Sequence, residues 1–296
     1  MKSMVYQKTI FDMSTIFIEP GSLYVVATPI GNLQDLTPRA QLILQQVTLI
    51  AAEDTRHSRH LLTHFGIQTP LQSLHEHNEM QVSQQLLQRL QLGDSIALIS
   101  DAGTPLISDP GMHLLQLAHQ HHVKVIPIPG ASALITALSV AGFAANQFVF
   151  EGFLSAKMQA RQQRLQELRH ETRTLVFYET PHRIVDCVTT MLSCLGETRE
   201  MALVKELTKI FETVYRDTIA NILTWLTEKP ERQKGEFVLV VQGAQTPEIQ
   251  LITPEVENIF LILRAELPLK QAAKLTSEIT GISKNTLYTF GLNQPS

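Results

Sequence analysis

The chain has 296 residues, 44% of them hydrophobic, and a formal net charge of −4. That length suggests two domains with an appendage and ample apolar content for buried cores, while the acidic balance argues against coating nucleic acid through bulk electrostatics. Only Cys187 and Cys194 are present, seven apart in a predicted helix, which argues against a disulfide framework or a cysteine zinc site and suits a reducing compartment.

Residues 1–22 read as an N-terminal arm in which Asp12 and Glu19 interrupt Phe11, Ile16, Phe17 and Ile18, so no export signal is expected. No apolar run reaches 18 residues, so no membrane span is expected and the cytoplasm is the expected location. From 23 to about 130, predicted strands at 23–27, 48–52, 71–74, 95–99 and 124–128 alternate with helices at 37–46, 55–65, 78–92 and 111–121. This βαβ pattern predicts a mostly parallel sheet covered by helices. The loops at 28–32, 53–56, 100–111 and 129–133 all follow strands and should gather at the carboxyl edge, where open α/β sheets bind ligands.

A second α/β domain is predicted over 131–244. Its strands fall at 147–151, 174–179, 201–205, 213–217 and 237–241, and its helices at 157–170, 181–195 and 219–227. The region 129–146 reads as the link between the two domains. After Gln245, Pro247 and Pro254 punctuate a helical extension, 245–296, with helices at 255–267, 269–280 and 284–290. Gly281 and Ser283 between the last two give the order of a small nucleic-acid-binding motif, and a helical pair packed on the body is the plainer alternative.

The run S-D-A-G-T-P-L-I-S-D-P-G, 100–111, stands at the end of the fourth strand. Gly103 and Gly111 permit turns closed to other residues, Pro105 and Pro110 stiffen the loop, and Asp101 and Asp109 bring carboxylates to its rim. It lacks both the dinucleotide fingerprint and the G-K-S/T of a phosphate-binding loop. With two acids and no lysine it would repel a polyphosphate, so a neutral or partly cationic ligand such as a sulfonium is favoured. A rigid turn without a ligand is the alternative.

Lys157, Arg161, Arg164, Arg169 and Arg173 cluster, and the first three share a helix face that also carries Leu168. An RNA-contacting helix and an ordinary surface helix both fit. His57, His60 and His64 fall at helical spacing, but without an H-E-x-x-H pattern or a cysteine partner no metal is expected.

The loops and their order resemble the tetrapyrrole methylase superfamily. They are T-P-I-G-N-L from Thr28, A-E-D-T-R from Ala52, the 100–111 loop, P-G-A-S-A from Pro129, Y-E-T-P-H-R from Tyr178 and K-E-L-T-K from Lys205. They are most similar to its branch that methylates small-subunit ribosomal RNA, as is L-P-L-K-Q-A-A-K-L from Leu267. The resemblance implies two α/β domains with S-adenosyl-L-methionine in the cleft between them, and a homodimer. It also implies a substrate, 16S rRNA or the small ribosomal subunit, methylated on the ribose 2′-hydroxyl of a cytidine in the decoding region. Carried onto this chain, it places Pro29, Asp101, Ala102, Gly103, Leu106, Ile107, Ser132, Ala133, Tyr178 and Gly235 at the cofactor.

Methyl transfer needs the attacking oxygen, the methyl carbon and the leaving sulfur nearly in line, so positioning supplies much of the rate. A ribose hydroxyl is a weak acid that profits from a proton acceptor. Glu179, Glu206 and Lys205 are the candidate catalytic residues. Asp101 is a further candidate, with salt formation to the methionine amine as its alternative role, and a protonated Lys205 suits a phosphate or hydroxyl contact better than a base. Arg56, Arg59 and Arg183 follow cleft-edge motifs and, with Lys157, Arg161 and Arg164, are the candidate RNA contacts. For Arg56, Arg59 and Arg183 the alternative is a carboxylate pair with Glu53, Asp54 or Glu179, and for Arg56 the two readings balance because Asp54 is so near in sequence. The sequence leaves two rival activities open: methylation of a small tetrapyrrole-type molecule, and RNA binding without catalysis.

Overall fold

Five apolar runs of the first half pair into one parallel sheet in the computed structural model, which describes residues 17–245 and 252–293. The strands are β1 (Ser22–Val26), β2 (Leu49–Ala52), β3 (Leu71–Ser73), β4 (Ile96–Ile99) and β5 (Lys124–Ile128), in the order β3-β2-β4-β1-β5. Every residue of L-I-A-A in β2 and I-A-L-I in β4 is buried. Such runs without alternation suit a sheet covered on both faces. The covering helices are α1 (Pro38–Gln46), α2 (Thr55–His64), α3 (Glu79–Gln91) and α4 (Met112–Gln120). Ile43, Leu44 and Leu62 from α1 and α2 pack on one face with Ile50, and Leu86, Leu90 and Leu114 from α3 and α4 pack on the other with Leu98. Local chemistry fixes the helix starts: Thr37 accepts from the Ala40 N–H ahead of Pro38, and Asp54 accepts from the N–H groups of Arg56 and His57.

The region predicted as a link contains a helix, α5 (Ala133–Ala141), which ends at Gly142 in the left-handed conformation. Its sequence A-L-I-T-A-L-S-V-A is short and apolar almost throughout, so it carries too little periodicity to announce a helix. The second sheet contains β6 (Phe148–Phe153), β7 (Thr174–Glu179), β8 (Glu200–Lys205), β9 (Thr213–Thr218) and β10 (Phe237–Val241), in the order β6-β7-β10-β8-β9. It is mixed: β6 and β7 are parallel, while β10 runs antiparallel to β7 and β8, and β8 to β9. Its helices are α6 (Met158–Glu167), α7 (Ile184–Leu195) and α8 (Ile219–Glu228).

Alternate residues of β7 sort to opposite faces. Leu175 and Phe177 join the core with α6, α7 and α8, and Val176 joins Ala137, Leu138 and Ala141 of α5. Full burial of a side chain such as Phe177 contributes about 1.5–3 kcal/mol relative to exposure. Both sheets belong to one unit ending at Ala244, and a second begins at Gln245. In that second unit α9 (Pro254–Glu266), α10 (Leu269–Thr280) and α11 (Lys284–Leu292) surround Phe260, Ala273, Ile282 and Leu287. Ser283 caps α11 by accepting from the Thr286 N–H at 3.2 Å.

Candidate active site

The loop after β4 is fixed by its neighbours. Gly103, at φ +83°, exchanges two backbone hydrogen bonds with Thr28, which follows β1. The Thr28 hydroxyl also donates to the Ser100 carbonyl at 3.2 Å, and the Thr104 hydroxyl donates to the Ala131 carbonyl at 3.1 Å. At the far end, the Glu79 carboxylate accepts from the N–H groups of Gly111 and His113 at 3.0 and 2.7 Å. The turn-forming residues foreseen in the sequence therefore draw three loops together at the carboxyl edge.

Between this edge and the second sheet lies a cavity of about 320 Å³, a size suited to a small ligand. Asp101, Ala102, Gly103 and Ile107 line it from the loop, Ser132 and Ala133 from the start of α5, and Tyr178 and Glu179 from the end of β7. All eight were singled out by motif. Asp109, read from the sequence as a carboxylate at the loop's rim, also lines it, as do Ile30, Glu53, Thr104, Thr180, Glu236, Phe237 and Val238, which the motifs did not single out for it. Glu53 stands inside the A-E-D-T-R motif, which carries a signal for it; Phe237 and Val238 are strand residues whose exposure to a cavity no local pattern marks.

Among the described residues, the lining includes five acidic residues, Glu53, Asp101, Asp109, Glu236 and Glu179, the last with its side chain wholly buried, and no lysine, arginine or histidine. Burial, followed by the charges of Asp101 and Asp109, raises the Glu53 pKa above its ordinary value. Burial also raises that of Asp109, against a hydrogen bond from Ser100 and with help from the charge of Asp101. The Asp101 carboxylate accepts from the Asp54 N–H at 3.1 Å. The Tyr178 hydroxyl accepts from the Leu134 N–H at 3.0 Å, and burial raises its pKa. The Glu179 side chain is fully buried. Its Oε1 accepts from the Thr180 N–H at 2.8 Å and lies 3.4 Å from Arg183 Nε, while Oε2 has no hydrogen-bond partner among the described residues.

Several expected residues lie elsewhere. Pro29 lines a neighbouring cavity, and Leu106, itself at φ +77°, packs toward Gly111 rather than lining either cavity. Lys205 Nζ donates to the Glu231 carbonyl at 2.8 Å and sits over the Phe237 ring. Burial lowers its pKa. Glu206 accepts from Lys209 Nζ at 3.0 Å and from the Glu236 N–H at 2.9 Å. Burial works against its charge, but these bonds outweigh it and hold its pKa below the ordinary value. Gly235 serves this clamp: a Cβ there would stand 2.5 Å from Glu206 Cγ. Neither Lys205, Glu206 nor Gly235 lines the cavity.

Among the expected RNA contacts, Arg161 requires correction. It is 5% exposed and donates through Nε to the Thr190 hydroxyl at 3.0 Å. The face of α6 that also carries Leu165 is turned to the core, so Arg161 is a buried donor and not a surface cation. Arg164 forks onto Glu151, with both bonds at 2.7 Å, and pairs with Glu167. Arg183 donates to the Leu154 carbonyl and faces Glu179. Arg56 is paired with Asp54 at 3.1 Å, yet its side chain is 90% exposed. Arg59 and Lys157 are exposed.

A second cavity, of about 470 Å³, adjoins the first and shares Ile30, Asp101, Ala102 and Glu236 with it. His57, His60 and Leu61 of α2 form one side, and Pro29, Gly31, Leu33 and Lys209 contribute the remainder. Lys209 Nζ donates to Glu236 Oε2 at 2.8 Å, and its stem crosses Gly31, where a Cβ would stand 2.5 Å from Lys209 Cγ. Burial disfavours the ammonium, but Glu236 and Glu206 outweigh this and raise its pKa. Beyond His60, a third cavity is lined by Arg56, Arg59, Thr63 and His64. No group of three or more metal-ligating side chains placed to hold an ion occurs among the described residues.

Two α/β sheets with a cation-free cavity at the carboxyl edge of the first are the architecture expected of a tetrapyrrole methylase, and residues 22–223 match the family model for tetrapyrrole (corrin/porphyrin) methylases. Residues 250–294 match the RsmI C-terminal HTH domain. The chain belongs to the tetrapyrrole methylase family. It is 52% identical over 272 residues to ribosomal RNA small subunit methyltransferase I of Pasteurella multocida (strain Pm70), a match covering 92% of this chain and 97% of that protein. The protein of the same name from Escherichia coli O157:H7 is 49% identical over 274 residues, covering 93% and 96%. Among solved structures, uroporphyrin-III C-methyltransferase from Thermus thermophilus complexed with S-adenyl homocysteine superposes with a TM-score of 0.52 at 16% identity, covering 75% of this chain and 97% of that one. Diphthine synthase gives 0.55 at 14%, covering 74% and 89%. At such identities the likeness is one of fold.

Proposed function

We propose that the protein is an S-adenosylmethionine-dependent methyltransferase of small-subunit ribosomal RNA, acting on the ribose 2′-hydroxyl of a cytidine in the decoding region of 16S rRNA. The observation that carries this reading is the cation-free cavity at the carboxyl edge, in a chain half identical over nine-tenths of its length to proteins named for rRNA methylation. The lining fits the cofactor: the acids Glu53, Asp101, Asp109 and Glu236 suit a ligand bearing an ammonium and a sulfonium, and Gly103 brings backbone close to it where a side chain would intrude.

When bound, S-adenosylmethionine supplies an electrophilic methyl group on a positively charged sulfur. The residues that would hold it are Asp101, Ala102, Gly103, Ile107 and Asp109 of the loop, with Ser132, Ala133, Tyr178 and Glu53. The chain's own contribution is positioning. Asp101 is fixed by the Asp54 N–H, the start of α5 is fixed by Tyr178, and the apolar shelf of Ile30, Val204 and Leu207 keeps water from one wall. Of the catalytic candidates, Asp101 and Glu179 line the cavity, but the Glu179 side chain is wholly buried beside Arg183, which leaves Asp101 as the candidate to accept a proton there. The protein would act in the cytoplasm as a homodimer, with the unit that begins at Gln245 as a further RNA contact.

The test is transfer of tritiated methyl groups from S-adenosylmethionine to small ribosomal subunits and to free 16S rRNA, followed by mapping of the labelled nucleotide through its resistance to alkaline cleavage. Label at one cytidine of the decoding region is expected. Absence of label from both substrates, with cofactor binding intact, would overturn the reading.

A further inference from the structure

The three adjoining cavities differ in charge in a graded way. The first holds carboxylates and no cation, the second adds His57, His60 and Lys209, the last bonded to Glu236, and the third is lined by Arg56, which pairs with Asp54, together with Arg59, His60 and His64. Helix α2, whose span T-R-H-S-R-H-L-L-T-H contains no carboxylate, lines both the second and the third cavity. A cationic ligand and an anionic polymer would therefore be drawn to opposite ends of one continuous recess.

We propose that the second cavity is the subsite for the target nucleotide of a single-stranded RNA, with His57, His60 and Lys209 binding its phosphate and Arg59 binding the phosphate beyond. This rests on the RNA substrate proposed above. Lys209 suits the role because its position is already set: two carboxylates hold the ammonium, and its stem lies along Gly31. His57 and His60, exposed on the facing helix, supply N–H donors. Between them Leu33 and Leu61 offer an apolar surface to a base. The two cavities meet at Asp101, Ala102 and Glu236, so it is at this junction that the ribose hydroxyl of a nucleotide so held and the methyl group of the proposed cofactor would come into contact. In that encounter the oxygen–carbon bond forms as the carbon–sulfur bond breaks, and the hydroxyl proton passes to a carboxylate of the recess.

The test uses the full chain and two variants, H57Q/H60Q and K209Q, with a short fluorescein-labelled oligocytidylate as probe. Anisotropy titrations over a range of potassium chloride concentrations give the affinity and its salt dependence, and calorimetry with S-adenosylmethionine gives the cofactor affinity. Each variant is expected to bind the probe about tenfold more weakly. The slope of log affinity against log salt should fall by about 0.7 for each phosphate that the variant no longer neutralises. Cofactor affinity should stay within about twofold, and K209R should restore most of the affinity that K209Q forfeits. Wild-type affinity and salt slope in both variants would overturn the subsite, as would cofactor affinity that falls in parallel with RNA affinity. Methyl transfer by the unaltered protein is measured alongside. Failure of that transfer counts against the proposed activity, whereas the binding titrations decide the subsite by themselves.

Discussion

Thr28 and Gly103 exchange a pair of backbone hydrogen bonds, 2.9 Å from the Thr28 N–H to the Gly103 carbonyl and 3.0 Å in return. This single antiparallel bridge joins the loop after β1 to the loop after β4, two strands adjacent in the sheet though far apart in sequence. It holds the main chain of 100–111 against the sheet edge and leaves the other side of Gly103 facing the cavity. Gly103 can do this because φ +83° carries no penalty without a Cβ.

Replacement of Gly103 by valine should therefore act twice. The left-handed conformation costs a β-branched residue about 1–2 kcal/mol, and a Cβ would approach Ile30 Cγ2 to 3.3 Å in the cavity wall. S-adenosylmethionine affinity, measured by calorimetry, is expected to fall more than tenfold with a modest loss of thermal stability. Undiminished affinity would show that the ligand binds elsewhere.

The crowded carboxylates predict a pH dependence. Glu53 and Asp109 titrate above their ordinary values of 4.5 and 3.8, with burial the leading cause for each. Over the window that opens at those values and extends upward, the folded chain holds protons that the unfolded chain has released, so these groups contribute less stability as pH rises. A bound cation favours the ionised forms and expels the same protons. Cofactor affinity should accordingly rise with pH through the window, by up to about one log unit per pH unit for each carboxyl, and flatten above it. Glu53→Gln and Asp109→Asn should each reduce the slope, whereas an affinity independent of pH in the wild type would contradict the arrangement.

How much of this could be read from residues alone depended on whether the signal was local. The parallel sheet was legible because its strands and helices differ in period and its loops carry glycine and proline. The carboxyl edge followed from strand direction, and eight cavity residues followed from the motifs there. Helix α5 was not legible because its apolar positions surround it, and the mixed second sheet was not because strand direction leaves no trace in composition. The fate of cations was hidden for a third reason. Arg161 and Arg164 are alike in sequence, and only packing reveals that one turns to Thr190 in the core and the other to Glu151 at the surface.

Those two arginines should consequently behave differently. Arg161→Ala removes a buried side chain and its bond to Thr190, and is expected to cost about 1–3 kcal/mol of stability in chemical denaturation. Affinity of the folded variant for RNA should change by less than about twofold. Arg164→Ala breaks an exposed pair with Glu167 and a fork onto Glu151, whose side chain is 10% exposed, and should cost less than Arg161→Ala because the Arg164 side chain itself is 46% exposed. Equal stability losses would place both side chains in similar surroundings, contrary to the packing described.

Tyr178 links the second sheet to the helix whose start forms part of the cavity, so removal of its hydroxyl separates positioning from shape. In Tyr178→Phe the ring keeps its edge contacts with Phe150 and Phe153, at 4.9 and 5.6 Å between centroids, but the Leu134 N–H is left without its acceptor. Removing this bond is expected to cost about 0.5–1.5 kcal/mol, a fall of about 2–4 °C in melting temperature per kcal/mol in a unit of this size. Because Ser132 and Ala133 stand at that helix start, cofactor affinity should also fall several-fold although no cavity-filling group has been removed. Tyr178→Ala, which also deletes the ring, should lose considerably more of both. If Tyr178→Phe binds the cofactor as tightly as the wild type, the hydroxyl only fastens α5 to the sheet, and the ring alone shapes the cavity.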